Sequence, residues 1–163
     1  MKGFEIEIYR FYLLIANVVA IIMLLTSFKW PRGGRVLFFL LFAWACWMNW
    51  QTLLYTPRVY LEYADFTWSA AYRNFITGWF SQHIQLAVGL IATCQGLIAA
   101  SMLLNGQIFR IGAMGAILFL LAITPLGRGA GFPATLLMAV SMIVILRKHS
   151  DEFIWKSHKT IMV

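Results

Sequence analysis

From Val36 to Tyr55 the chain runs for twenty residues without a Lys, Arg, Asp or Glu, and no other feature restricts its fold so much. Coiled as a helix at about 1.5 Å per residue, such a stretch covers the roughly 30 Å hydrocarbon core of a bilayer. Phe11 to Phe28 and Phe80 to Leu104 are equally free of charge. Two shorter apolar runs follow, Ile111 to Leu126 and Phe132 to Leu146, which need local thinning or snorkelling by Arg110 to cross. The chain is 61% hydrophobic and 12% charged, against about half and a quarter in a soluble domain. A water-soluble fold of 163 residues has too much surface for its volume to hide that much apolar side chain. The sequence therefore predicts an all-α, polytopic bundle of five transmembrane helices, at about 11–28, 36–55, 80–104, 108–126 and 132–147, forming one domain.

The breaks between runs have their own chemistry. Lys29 to Arg35 combines Pro31, Gly33 and Gly34 with positive charge, and reads as a turn. Asn105-Gly106 is a turn dipeptide, and Pro125 to Pro133 joins a helix stop to a glycine-rich connection. The GRGAG within it lacks the spacing of a phosphate loop and reads as a tight turn. The one long connection, 56–74, mixes Arg58, Glu62, Asp65 and Arg73 with Tyr60, Tyr63, Phe66, Trp68 and Tyr72. That mixture suits a segment lying in the membrane interface.

Charge placement predicts orientation. Lys29, Arg32, Arg35, Arg110, Arg147, Lys148, Lys156 and Lys159 fall on one side, and Lys2, Arg10, Arg58, Arg73 and Arg128 on the other. The positive-inside rule puts the first set in the cytoplasm. The expectation is an inner (plasma) membrane protein with its N-terminus outside and a cytoplasmic tail at 148–163, anchored at Trp155. The N-terminus has no small-residue cleavage site after its first apolar run and reads as retained. The net charge of +7 sits at the ends of apolar runs, where it meets head groups. No basic stripe interleaved with stacking aromatics is present, so nucleic acid is not an expected partner.

No catalytic or metal-binding pattern emerges. Cys46 and Cys94 lie mid-run, without CxxC or zinc-type spacing. Asn17, Asn49 and Gln51 are intramembrane amides, and no acid or base lies mid-span, which argues against an ion pump. On the third run Gln85, Gly89, Ala92, Gly96 and Ala100 form a small-residue stripe, read as a helix-packing seam with Gln95 at its flank. His83 lies about 160° from Gln85 in helical projection. It is the one candidate cofactor-binding residue, for a quinone head group, since His149 and His158 are expected on the opposite side and cannot complete a bis-histidine haem. Arg128 is expected to pair with Glu62 or Asp65 over the outer helix ends.

Gly89 to Gly106, Phe109-Arg110-Ile-Gly112-Ala-Met-Gly115-Ala and Pro125 to Pro133 resemble the DoxX-like family of small four-helix membrane proteins. Gln95-Gly96 stands where family members commonly carry an acidic residue and a small one. The resemblance covers about half the chain and implies an extra N-terminal helix before a four-helix core. It further implies association with membrane oxidoreductase assemblies. The leading expectation is a non-catalytic membrane subunit or scaffold with protein partners and no resident cofactor. The alternatives are a quinone-interacting oxidoreductase subunit and a small-solute or lipid transporter or channel.

Overall fold

A computed structural model describes the backbone of residues 2–148 and the side chains of residues 10–148; the tail bearing His149, Trp155 and His158 lies outside the described residues. The fold is all-α. Its long helices are α1 (Lys2–Lys29), α2 (Pro31–Tyr55), and, beyond two short helices α3 (Tyr63–Phe66) and α4 (Ala70–Phe75), α5 (Ile84–Met102), α6 (Gly106–Ile123) and α7 (Ala134–Lys148). No strand occurs among the described residues. Arg10–Lys29, Pro31–Tyr55, Ile84–Met102 and Gly106–Ala130 are each long and apolar enough to cross a membrane. The chain is thus a multi-pass membrane protein. With 15 residues, α7 measures roughly 22 Å. It still joins the two ends of the bundle: Phe132 just before it meets Trp68 edge-on, while Lys148 donates to the Phe28 carbonyl and lies over the Phe28 ring.

The helices alternate in direction, so the same end collects Lys29, Arg32, Arg35, Arg110, Arg147 and Lys148. The turn predicted over Lys29 to Arg35 shrinks to Trp30 alone. Pro31 begins α2, where its missing N–H costs nothing and its fixed φ suits a first turn. Gly33 and Gly34 are therefore helical, and they serve close approach. A Cβ on Gly34 would sit 2.8 Å from Ile145 Cδ1 and 3.0 Å from Ser27 Oγ, so α1, α2 and α7 converge there.

Arg35 has no exposed surface at all. Its guanidinium donates from Nε and Nη2 to the Met102 carbonyl (3.1 and 2.9 Å) and from Nη2 to the Leu104 carbonyl, and stacks 4.0 Å over the Phe109 ring. The last carbonyls of a helix have no partner within it. Arg35 supplies one for α5 and adds a positive charge at the negative end of its dipole. Arg35, which the sequence places among the positive charges of a turn, is the clamp between α2, α5 and α6.

The third apolar run is not one helix. It breaks at His83 (φ −126°, ψ 30°), after a π turn at Ile76–Phe80 with Gly78 far from helical geometry. The segment 57–80 is thereby free to fold back over one end of the bundle. Ala64, Ile76 and Phe80 bury themselves there against Leu53 and Val88. Arg73 stitches the segment to itself, donating to the Ala64 and Thr67 carbonyls.

Candidate functional site

Beneath that folded-back segment, α2, α5, α6 and α7 stand far enough apart to leave a cavity of about 580 Å³. Small residues on the walls, Ala45, Ala122 and Ala134, make the room. Leu41, Phe42, Phe119 and Met138 give an apolar lining, and Tyr60, Tyr63, Tyr72 and Phe75 form the cover. Among the described residues, no Lys, Arg, His, Asp or Glu lines it.

One wall is polar. Tyr60 Oη donates to Asn49 Oδ1 at 2.7 Å, and Asn49 Nδ2 donates to Gln95 Oε1 at 2.7 Å. The three residues come from the cover, α2 and α5. A buried amide without partners costs roughly 1–3 kcal/mol by mutational measure, so this chain of bonds is what permits two amides inside an apolar bundle. Burial pushes the Tyr60 phenol above the ordinary tyrosine range, although the Thr52 side chain acts in the opposite sense. Tyr60 accordingly remains a proton donor throughout the physiological range. Elsewhere on the lining Tyr72 donates to the Ala122 carbonyl at 2.6 Å, and Thr135 shares a 3.1 Å bond with Thr124.

The cover is held by close fit and not by charge. Thr67 Oγ1 donates to the Pro125 carbonyl at 2.6 Å. Gly127, at φ +65°, lets the Phe66 carbonyl and the Trp68 ring come within 2.8 and 3.1 Å of where its Cβ would be; a side chain there would be strained both by the left-handed backbone and by the contact. Tyr63 packs the same way on Gly129. Arg128, Glu62 and Asp65 are all exposed, and no hydrogen bond or ion pair joins them among the described residues. In place of the electrostatic contact expected from sequence, aromatic rings are seated on the two glycines that flank the exposed Arg128.

The packing stripe on α5 is also turned. Ala92 is buried, Gly89 faces Trp50 and Leu53 of α2, and Gly96 faces Cys46. Gln85 and Ala100, at either end of the stripe, are exposed. Gln85 sits in the first turn of α5, directly after the break at His83, and Ala100 projects about 60° from Gln85, at the edge of the stripe. Gln95 is the buried glutamine instead. His83 does not line the cavity; it stacks on Trp79 at 4.6 Å and its Nδ1 bonds the Trp79 carbonyl at 2.9 Å. Asn17 spends its amide on the Leu13 carbonyl of its own helix. Both cysteines are free thiols, Cys46 half-buried and Cys94 exposed. No group of three His, Cys, Asp or Glu able to hold a metal occurs among the described residues.

Sequence reasoning named Asn49 and Gln95 but did not join them. The usable signal was two amides on neighbouring apolar runs, each needing a partner in lipid. Tyr60 carried no signal, since its reach into the bundle depends on the fold-back at 57–80. The chain matches no family model, no curated protein and no solved structure.

Proposed function

We propose that this protein is a non-catalytic component of the plasma (inner) membrane that holds one apolar, lipid-like molecule between its helices. The cavity carries the reading: about 580 Å³ lies well inside the 300–1,000 Å³ typical of small-molecule sites, and an apolar lining with a few convergent polar groups is their usual makeup. Trp44, Phe75 and Ile91 line the space yet stay exposed on the flank of the bundle, which supports entry from the bilayer. Leu40, Trp44 and Trp47 form an exposed stripe on α2. Tryptophan ordinarily concentrates at the membrane interfaces, so two of them near mid-helix support a protein partner in the membrane, as the DoxX-like resemblance implies. Of the alternatives, the quinone and lipid readings share this cavity, but the quinone site built on His83 draws no support from the position of that residue.

Native mass spectrometry of the chain from mildly solubilised membranes tests the reading. The parent is expected to carry a lipid-sized adduct, together with any stable partner subunit. Ala45→Phe, which puts a ring into the cavity from α2, is expected to reduce adduct occupancy at least fivefold while the bundle still unfolds cooperatively. Equal occupancy in the two proteins would place the adduct on the outer surface and end the proposal.

Orientation belongs to the same proposal. The basic end described above supports a cytoplasmic face there, with 57–80 outside. With Cys46 and Cys94 removed, a cysteine at Ser69 is expected to react with an impermeant thiol reagent in intact cells, and one at Ser157 only after the cytoplasmic side is opened. The reverse pattern would invert the protein.

A further inference from the structure

Within the reading of the cavity as a ligand site, on which this inference rests, we infer that the ligand is an uncharged amphiphile whose head presents a carbonyl oxygen, and that Gln95 is the residue that receives it. The starting point is the direction of the hydrogen bonds. Tyr60 donates to Asn49 Oδ1, and with the Asn49 amide assigned that way its Nδ2 donates to Gln95 Oε1. The chain of bonds ends on Gln95 Nε2. That group donates to nothing among the described residues, although Gln95 is only 3% exposed and lines the cavity.

Gln95 Nε2 opens onto the cavity and is not sealed within the protein, so its acceptor must come from whatever fills that space. Water is a poor candidate at this depth. Gln95 lies eleven residues below the start of α5 at Ile84, or about 16 Å along the helix, with an apolar lining around it. An acceptor brought by the ligand fits the position.

The lining restricts the head further. A carboxylate, phosphate or ammonium placed against Gln95 would be desolvated with no opposite charge among the described lining residues, which costs far more than one amide bond returns. A neutral acceptor carries no such penalty. Ester and ketone carbonyls are the common neutral acceptors on membrane amphiphiles, and they could come from a glyceride or from an isoprenoid quinone. The relay also strengthens the donor: an amide whose oxygen already accepts a bond is polarised toward giving its own proton.

The test uses matched probes on the purified full chain in a nonionic maltoside detergent: dioctanoylglycerol, its dioctyl ether analogue and a short-tailed isoprenoid quinone. The glyceride and its ether share tails and hydroxyl, and differ only in the carbonyls. The parent protein is expected to bind at least one of the two carbonyl probes about 3–10-fold more tightly than the ether, the span of one neutral hydrogen bond; whichever binds more tightly names the source. Gln95→Leu, similar in bulk and without the donor, is expected to bind all three at the affinity of the ether. Should that variant fold poorly, Tyr60→Phe provides the second measurement, since it releases the Asn49 amide and is expected to shrink the carbonyl preference. The parent's own ratio needs no variant. Equal binding of all three probes by the parent would overturn the role of Gln95 and leave the cavity as an unselective apolar site. Binding of none of them would overturn the ligand-site reading itself.

Discussion

Replacing Arg35 with Leu is expected to lower the unfolding free energy by about 3–5 kcal/mol. The guanidinium is fully buried and bonds two carbonyls, Met102 and Leu104, at the end of α5. The Met102 carbonyl, left buried without a donor, costs about 1–3 kcal/mol, and the part-buried Leu104 carbonyl costs less. Loss of the cation over the Phe109 ring adds about 0.5–2 kcal/mol, and the smaller leucine relieves part of the original desolvation. Arg35→Lys keeps the charge but cannot fork across two oxygens. Its expected loss is smaller, about 1–2 kcal/mol. The measurement is equilibrium unfolding in mixed micelles, with helix content by circular dichroism as the signal. If both variants stay within about 0.5 kcal/mol of the parent, Arg35 is not the clamp between α2, α5 and α6.

The second large effect is expected at Gly112 on α6. A Cβ there would overlap the Oγ and Cβ of Ser101 on α5. Ser101 has little room to retreat, because it is buried and its hydroxyl is bonded to the Ile98 carbonyl at 2.6 Å. Gly112→Ala is expected to cost about 1–3 kcal/mol through overpacking, and Gly112→Leu more. One turn along, Gly115 is the control, since its added Cβ would meet only Ile98 carbons at 3.6 and 3.7 Å. There the helix preference of alanine, up to about 1 kcal/mol over glycine, leaves Gly115→Ala neutral or slightly stabilising. Combining Gly112→Ala with Ser101→Gly removes the atoms that collide, and is expected to recover most of the loss. Strict additivity of those two substitutions, where contact predicts coupling, would contradict the assignment. Gly96, which the sequence singles out for this role, has a single near neighbour in Cys46 Sγ at 3.2 Å and is expected to tolerate alanine better.

Four of the five spans read from the sequence are helices long and apolar enough to cross a membrane, and they were legible because length and hydropathy are local properties. Val36 to Tyr55 is long enough to span whatever surrounds it, and Asn105-Gly106 interrupts a helix by its own backbone preferences. The aromatic, mixed-charge character of 56–74 likewise marked it as different from the spans on either side. The fold-back of that segment was less legible: its hinge depends on Gly78, just before the third apolar run, and on His83 inside it.

The candidate site was legible only in parts. Asn49 and Gln95 were visible as amides in lipid-spanning runs, but nothing in the sequence said that Gln95 and not Gln85 faces inward. Arg35 was visible as a charge at the edge of a run, and its role as a cap for α5 depends on where Met102 and Leu104 end up in space. Arg128 was legible as a charge at the end of an apolar run, while the contact that holds the cover belongs to the glycines beside it. The physical reason is common to all of these. In water, a helix shows its inner face by where its apolar residues lie. In a bilayer the lipid and the protein interior are equally apolar, so hydrophobicity sets how many helices cross and leaves their rotation open. Composition and charge determined the spans and their ends, and only packing between the helices decided which side chains meet around the cavity.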